Sequence, residues 1–252
     1  MLFLDVQGTL LSDEDKSLIK GAKELVAQLN LRNIPYVIIT NNTKNLSLLS
    51  DLKRKGLEIK ENAYLDPFCL LQDFIKPSKI AAYGAKAFLQ SLESLGYELD
   101  YKLPEALLIA SYDNFSFADF ASMIEFANSG TKIIAMHETS IYKKNDRSYP
   151  GVGSIMAMLH YATNCKYEVV GKPSKTFYEK ALSLLKKQDK NASFSEVLII
   201  SDDFKGDLLR AKDLGMKTAL VLSGKIKSAA NLDISKLDFV YDSVEDYLKE
   251  IL

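Results

Sequence analysis

Eight short, mostly apolar runs recur along this chain, at 2–4, 36–39, 80–83, 106–110, 132–135, 197–200, 218–222 and 239–241, and no other feature limits its fold so tightly. Within each run the apolar residues follow one another with little polar alternation, which is the pattern of a strand covered on both faces. The stretches between them carry the helical period instead, as in Ala22, Leu25, Val26 and Leu29 or Phe177, Ala181, Leu184 and Leu185, and Gly56, Gly96, Gly130 and Gly215 punctuate their ends. Strand followed by helix, repeated, predicts an α/β fold: a doubly wound parallel sheet with helices on both faces, joined by right-handed crossovers. Ligands of such sheets bind beyond the carboxyl ends of the strands.

The 252 residues suffice for one large domain or two small ones. With 47% hydrophobic residues, 26% charged residues, 12 Gly and 6 Pro, the composition excludes disordered and collagen-like chains. A net charge of -1 supplies no global field for nucleic acid or an anionic bilayer, so neither is expected as a partner. Lys16, Lys20 and Lys23, like Lys53, Arg54 and Lys55, read as solvated faces. Cys69 and Cys165 match no metal or redox spacing, and with only His137 and His160 besides, a zinc site is not expected; the thiols read as reduced and structural. The Met-Leu-Phe-Leu-Asp start lacks a basic n-region and no apolar run approaches membrane-spanning length, from which a cytoplasmic location is expected.

Four polar clusters stand where ligands should bind. Asp5-Val6-Gln7-Gly8-Thr9 follows the first run, Thr40-Asn41-Asn42 the second and Ser201-Asp202-Asp203 the sixth, while Gly171-Lys172-Pro173-Ser174 precedes a helix. Each alone reads equally as a turn, a loop or a helix start. If one parallel sheet carries all four, they meet at one edge, where two carboxylates, a hydroxyl and an ammonium suit a divalent cation together with a phosphate.

At these residues the sequence resembles the haloacid dehalogenase superfamily, in the order and spacing of its NagD-like phosphatases. The resemblance runs through nearly the whole chain. It takes in Asp5-Val6-Gln7-Gly8-Thr9-Leu10, Gly21-Ala22-Lys23-Glu24-Leu25, Thr40-Asn41-Asn42-Thr43, Pro150-Gly151-Val152-Gly153-Ser154-Ile155, Gly171-Lys172-Pro173-Ser174, Asp202 with Asp207, and Leu220-Val221-Leu222-Ser223-Gly224. It implies a Rossmann-like core formed by 1–78 and 166–252, with a second α/β domain, a cap, inserted at 79–165. It also implies a hydrolase acting on a small phosphorylated metabolite with Mg²⁺, and leaves room for a homo-oligomer formed through the cap.

The family would make Asp5 the nucleophile that forms an aspartyl-phosphate, so dividing hydrolysis into two in-line steps. Thr40, the Asn41 backbone and Asn42 would bind phosphoryl oxygens, and Lys172 would neutralise charge on nucleophile and phosphate. Asp5, Asp202 and the backbone carbonyl of residue 7 would hold Mg²⁺, steadied from behind by Asp207. Asp203 either assists the metal or starts the next helix, and Asp113 is either a cap residue presented to substrate or a helix N-cap. A dehalogenase proper is disfavoured, because Asp5 to Thr40 leaves room for only one helix.

The departure is Gln7, where the resembling phosphatases carry an aspartate as general acid and base. Losing that group typically costs ~10²- to 10⁴-fold in rate. A carboxamide still offers its backbone carbonyl, so metal and phosphate binding should survive while turnover falls. The reading is therefore a slowed phosphatase, with a catalytically impaired pseudo-enzyme that binds a phosphorylated metabolite or protein partner as the alternative. His137 and Glu138 are the nearest substitute acids in sequence, although such a pair is more often a surface turn.

Overall fold

The computed structural model describes residues 1–144 and 147–252. In chain order the elements are β1 (Leu2–Asp5), α1 (Ala22–Leu31), β2 (Tyr36–Ile39), α2 (Leu48–Arg54), β3 (Tyr64–Leu65), α3 (Phe68–Phe74), β4 (Lys79–Tyr83), α4 (Lys86–Ser94), β5 (Glu98–Leu99), β6 (Ala106–Ile109), α5 (Phe117–Asn128) and β7 (Lys132–Ala135). They continue with β8 (Ile141–Lys144), β9 (Arg147–Pro150), α6 (Val152–Thr163), β10 (Glu168–Val169), α7 (Lys175–Gln188), β11 (Leu198–Ser201), a π-helical turn (Phe204–Leu208), α8 (Leu209–Asp213), β12 (Lys217–Val221), β13 (Phe239–Tyr241) and α9 (Val244–Ile251). All eight apolar runs became strands. The punctuating glycines Gly56, Gly96, Gly130 and Gly215 follow α2, α4, α5 and α8 with positive φ, the usual way to close a helix.

The chain divides into two compact units. One comprises Met1–Thr40, Ser47–Leu65 and Tyr178–Leu252 and holds a six-stranded parallel sheet in the order β13-β12-β11-β1-β2-β3. Successive strand residues point to opposite faces. Leu2 and Leu4 therefore share a buried layer with Leu25, Val26 and Leu29 of α1 and Val244 and Leu248 of α9. Phe3, between them, faces the other way and stacks on Tyr178 of α7 at 6.4 Å. This is the doubly wound arrangement, and each fully buried Leu, Ile, Val or Phe contributes about 1.5–3 kcal/mol of transfer free energy to it.

The second unit comprises Asn41–Leu46 and Asp66–Phe177 and holds a five-stranded parallel sheet, β10-β7-β6-β4-β5, with the antiparallel hairpin β8–β9. Ala81, Leu107, Ile109, Ile133 and Ala135 pack there against Met123 of α5 and Val152, Ile155, Met156 and Leu159 of α6. This unit extends beyond the segment 79–165 on both sides. α3 belongs to it, and β10 adds to β7 through Glu168↔Ile134 and Val169↔Ala135. A two-residue strand has no periodicity of its own, so its sheet is set by the partner it finds. Among the described residues Cys69 and Cys165 form no disulfide. Among the described residues no helix is long and apolar enough to cross a membrane.

Candidate phosphate and metal site

In the six-stranded unit, β1 ends at Asp5 and lies between β2 and β11, with Asp5 beside Ile39 and Leu4 beside Ile200. Adjacent strands run about 4.8 Å apart. The residues leaving these three carboxyl ends, Asp5, Thr40 and Asp202, are therefore neighbours along one edge, and all three are buried. The Thr40 amide donates to Leu65 O at 3.1 Å, fixing the exit from β2 against β3.

Asp202 sits in a tight cradle. The Lys225 amide donates to its Oδ2 at 2.6 Å, and a Cβ on either Gly8 or Gly224 would run into its carboxylate. Gly8 also has φ 70, a conformation costly for any other L-residue, and its carbonyl accepts the Ser223 hydroxyl at 2.7 Å. Burial first, and then the Asp5 charge, push the Asp202 carboxyl well above the usual carboxylate range, against the opposing pull of Lys225.

Behind this pair lies a connected polar set. The Ser201 hydroxyl donates to Asp207 Oδ2 at 2.7 Å and accepts the Asp203 amide at 3.1 Å. Asp203 Oδ1 accepts Gly206 N at 2.8 Å, capping the π-helical turn, and its Oδ2 pairs with Lys225 Nζ at 2.6 Å. Of the two readings of Asp203, the helix start is therefore realised. Burial disfavours the charged form of Lys225, but Asp203 and Asp202 outweigh it and raise its pKa. Burial, and the charges of Asp207 and Asp5, keep the Tyr178 phenol protonated, and its hydroxyl donates to Asp207 O at 3.4 Å.

The donor chemistry fits Mg²⁺. Two buried carboxylates, one of which raises the proton affinity of the other, gain from a divalent cation, and Mg²⁺ is commonly held by one or two carboxylates with carbonyls and waters. Among the described residues no group of three or more His, Cys, Asp or Glu is arranged to hold a metal, so any cation here would rely on that smaller set.

Gln7 is half-buried and its Oε1 accepts Lys16 Nζ at 3.2 Å. Lys16 is thus not merely part of a solvated face. The sequence pattern does not single out Lys225, although its place just after β12, beside Ser223-Gly224, is a signal that could find it.

The remaining candidates lie in the second unit. Lys172 follows β10 of the five-stranded sheet, whereas the polar clusters were expected at one edge of one sheet. It is buried, and Asn41 brackets its backbone: Asn41 Oδ1 accepts Lys172 N at 2.8 Å and Asn41 Nδ2 donates to Lys172 O at 3.1 Å. Gly171 permits this approach, since a Cβ there would lie 2.6 Å from Asn41 Oδ1 and 2.7 Å from Met136 O. Asn42 makes turn contacts instead, donating to Asn45 O at 2.8 Å and accepting Lys44 N at 3.2 Å.

Asp113 is not the cap of α5; Ser116 is, in a reciprocal capping box with Asp119. Asp113 lies beside Tyr142 of the hairpin, whose phenol burial and the Asp113 charge push up to about 12. His137 is buried, its Nδ1 accepting Thr139 N at 3.3 Å and its Nε2 meeting the Ser111 hydroxyl at 3.0 Å, a pattern that assigns the neutral Nε2–H tautomer. Glu138 Oε1 accepts the Tyr167 hydroxyl at 2.6 Å. Both proposed substitute acids are therefore engaged within their own unit.

Two family models match the chain, haloacid dehalogenase-like hydrolase over residues 2–98 and HAD-hydrolase-like over 169–247. The haloacid dehalogenase-like hydrolase domain-containing protein 2 of Mus musculus is 28% identical over 231 residues, covering 90% of this chain and 86% of its own. The sugar-phosphatase AraL of Bacillus subtilis is 26% identical over 257 residues, covering 98% and 92%. Among solved structures, the p-nitrophenyl phosphatase from Archaeoglobus fulgidus superimposes with a TM-score of 0.83 at 24% identity, covering 99% of this chain and 98% of that one. NagD from E. coli K-12 does so with a TM-score of 0.75 at 21% identity, covering 97% and 96%.

Proposed function

The chain belongs to the haloacid dehalogenase-like hydrolases, and from that premise we propose that it is a phosphatase of NagD-like type, hydrolysing a small phosphorylated metabolite through Asp5. The observation that carries the reading is the buried pair Asp5 and Asp202, side by side with Thr40 at the carboxyl ends of β1, β11 and β2. The name of AraL, a sugar phosphatase similar over nearly the whole chain, supports the same reaction class.

In this proposal a carboxylate oxygen of Asp5 attacks phosphorus in line with the ester oxygen. An aspartyl-phosphate forms and the alcohol departs; water then attacks the phosphorus and returns Asp5. The Thr40 hydroxyl donates to a phosphoryl oxygen. Lys172, the Asn41 backbone and Asn42 keep the phosphate-binding roles that the family resemblance implies. Asp5, Asp202 and the Gln7 carbonyl would hold Mg²⁺, which when bound offsets phosphoryl charge as a Lewis acid. Ser201, Asp203, Asp207 and Lys225 fix the orientation of the Asp202 segment through the contacts described above.

Gln7 has no proton to give near neutral pH, which slows departure of poor leaving groups and also favours a second reading, binding of a phosphorylated metabolite without turnover. Orthophosphate release from p-nitrophenyl phosphate and from alkyl phosphates, with Mg²⁺ and with chelator, decides between them. We expect Mg²⁺-dependent release that Asp5→Asn abolishes. Mg²⁺ and orthophosphate binding without release supports the second reading; neither binding nor release defeats both.

A further inference from the structure

We propose, resting on the phosphatase reading above, that Lys16 is a further catalytic residue whose ammonium, held at the site by Gln7, hydrogen-bonds the ester oxygen as it leaves phosphorus. The observation is the bond from Lys16 Nζ to Gln7 Oε1 at 3.2 Å, with a second bond to the Asp13 carbonyl at 2.9 Å. The loop that carries it is fixed. Ser12 N donates to Ser17 O at 2.9 Å, Ile19 N donates to Leu10 O at 2.9 Å, and Asp15 accepts both the amide and the hydroxyl of Ser17. Lys16 itself takes φ 59, a strained conformation held by these bonds.

The chemical point lies in what Gln7 does not do. A carboxylate at position 7 would form an ion pair with the ammonium and cancel its charge locally; a carboxamide orients it and leaves the charge intact. The Asp13 carboxylate makes only a long, solvent-screened ion pair with it at 3.9 Å, and the Lys16 side chain is 48% exposed, accessible to a substrate. The resemblance assigns position 7 to the leaving oxygen, so a cation docked on that side chain stands where negative charge develops, the place at which a hydrogen-bond donor accelerates a reaction most. The bond from Asp5 oxygen to phosphorus forms and the ester P–O bond breaks, its electron pair going to the ester oxygen, which takes the proton of the Lys16 ammonium and leaves as the alcohol. The neutral amine recovers a proton from water, and the hydroxide so released is consumed when the aspartyl-phosphate is hydrolysed.

The test is steady-state kinetics in Mg²⁺ buffer of wild type, Lys16→Met, Lys16→Arg and Lys20→Met, with ethyl phosphate and p-nitrophenyl phosphate. Lys20 lies on the same segment and pairs with Glu245, so its variant controls for loss of a nearby positive charge. Lys16→Met should lower kcat on ethyl phosphate by at least ~10-fold and on p-nitrophenyl phosphate by less than about 3-fold, because nitrophenolate needs little stabilisation. Lys16→Arg should recover most of the ethyl phosphate rate, and Lys20→Met should match wild type. Equal losses on both esters, or none, overturn the role of Lys16 while leaving the phosphatase reading intact. A wild type inactive on both esters overturns the two together.

Discussion

Gln7 and Asp202 hold opposite positions at this site: one side chain cannot ionise, and the other is made to resist ionising. Gln7→Asp places a carboxyl at position 7, where the family resemblance implies one. Turnover of alkyl phosphates should rise, at most by ~10²- to 10⁴-fold because the new carboxyl also pairs with Lys16, and that of p-nitrophenyl phosphate by less, as steady-state kinetics will read. A variant no faster on either ester would show that proton transfer is not what limits the enzyme. For Asp202 the consequence is thermodynamic. Its folded-state pKa is raised by burial and by Asp5, so between about pH 4 and the raised value the native state binds more protons than the unfolded chain. Metal-free protein should accordingly lose stability as pH rises through that window. Asp202→Asn should flatten the slope and remove the stabilisation by Mg²⁺; melting curves at about pH 5 and about pH 7.5, with and without Mg²⁺, check both. A variant with the wild-type slope would mean that other groups govern it.

The loops after β1 and β12 close on Asp202 through glycine backbone, and the loop after β10 closes on Asn41 in the same manner. Gly224→Ala places a methyl group against the Asp202 carboxylate. Relieving that clash should cost about 1–3 kcal/mol in urea unfolding and weaken Mg²⁺ binding, measured by titration. In the second unit Asn41→Ala removes the bracket on the Lys172 backbone. One net hydrogen bond is worth about 0.5–1.5 kcal/mol, but leaving the buried Lys172 amide unsatisfied adds a desolvation penalty, so the loss should reach about 2 kcal/mol or more. An Asn41→Ala protein as stable as wild type would show that water replaces the bracket.

For the molecule as a whole, ligands that bind only the native state stabilise it by mass action, about 2.7 kcal/mol at 100 times Kd. Mg²⁺ with orthophosphate should therefore raise Tm by several degrees in a chain of this size. Lys172→Ala should shrink the phosphate-dependent part more than Gln7→Ala does, since an ammonium is lost in one case and an uncharged group in the other. Equal shifts for wild type and Lys172→Ala would remove Lys172 from phosphate binding. Eight strands were legible from their own apolar runs, because a run buried on both faces is apolar by itself, whatever its partner; the three-residue β13, with Phe239 and Val240 exposed, is the exception in burial. The place of Asp5, Thr40 and Asp202 along one edge was legible with them, because polar residues at the carboxyl ends of neighbouring parallel strands share that edge by construction. What the tertiary structure alone decided was everything set by a partner distant in sequence. It assigned β3, β5 and β10, each too short to show a period, to their sheets, and it brought Lys225 to Asp202 and Asp203. It also turned Lys16, nine residues along the chain, back onto Gln7. A strand announces itself through its own side chains, whereas a hydrogen bond across a loop depends on the path of the backbone between its ends, which residue identity does not encode locally.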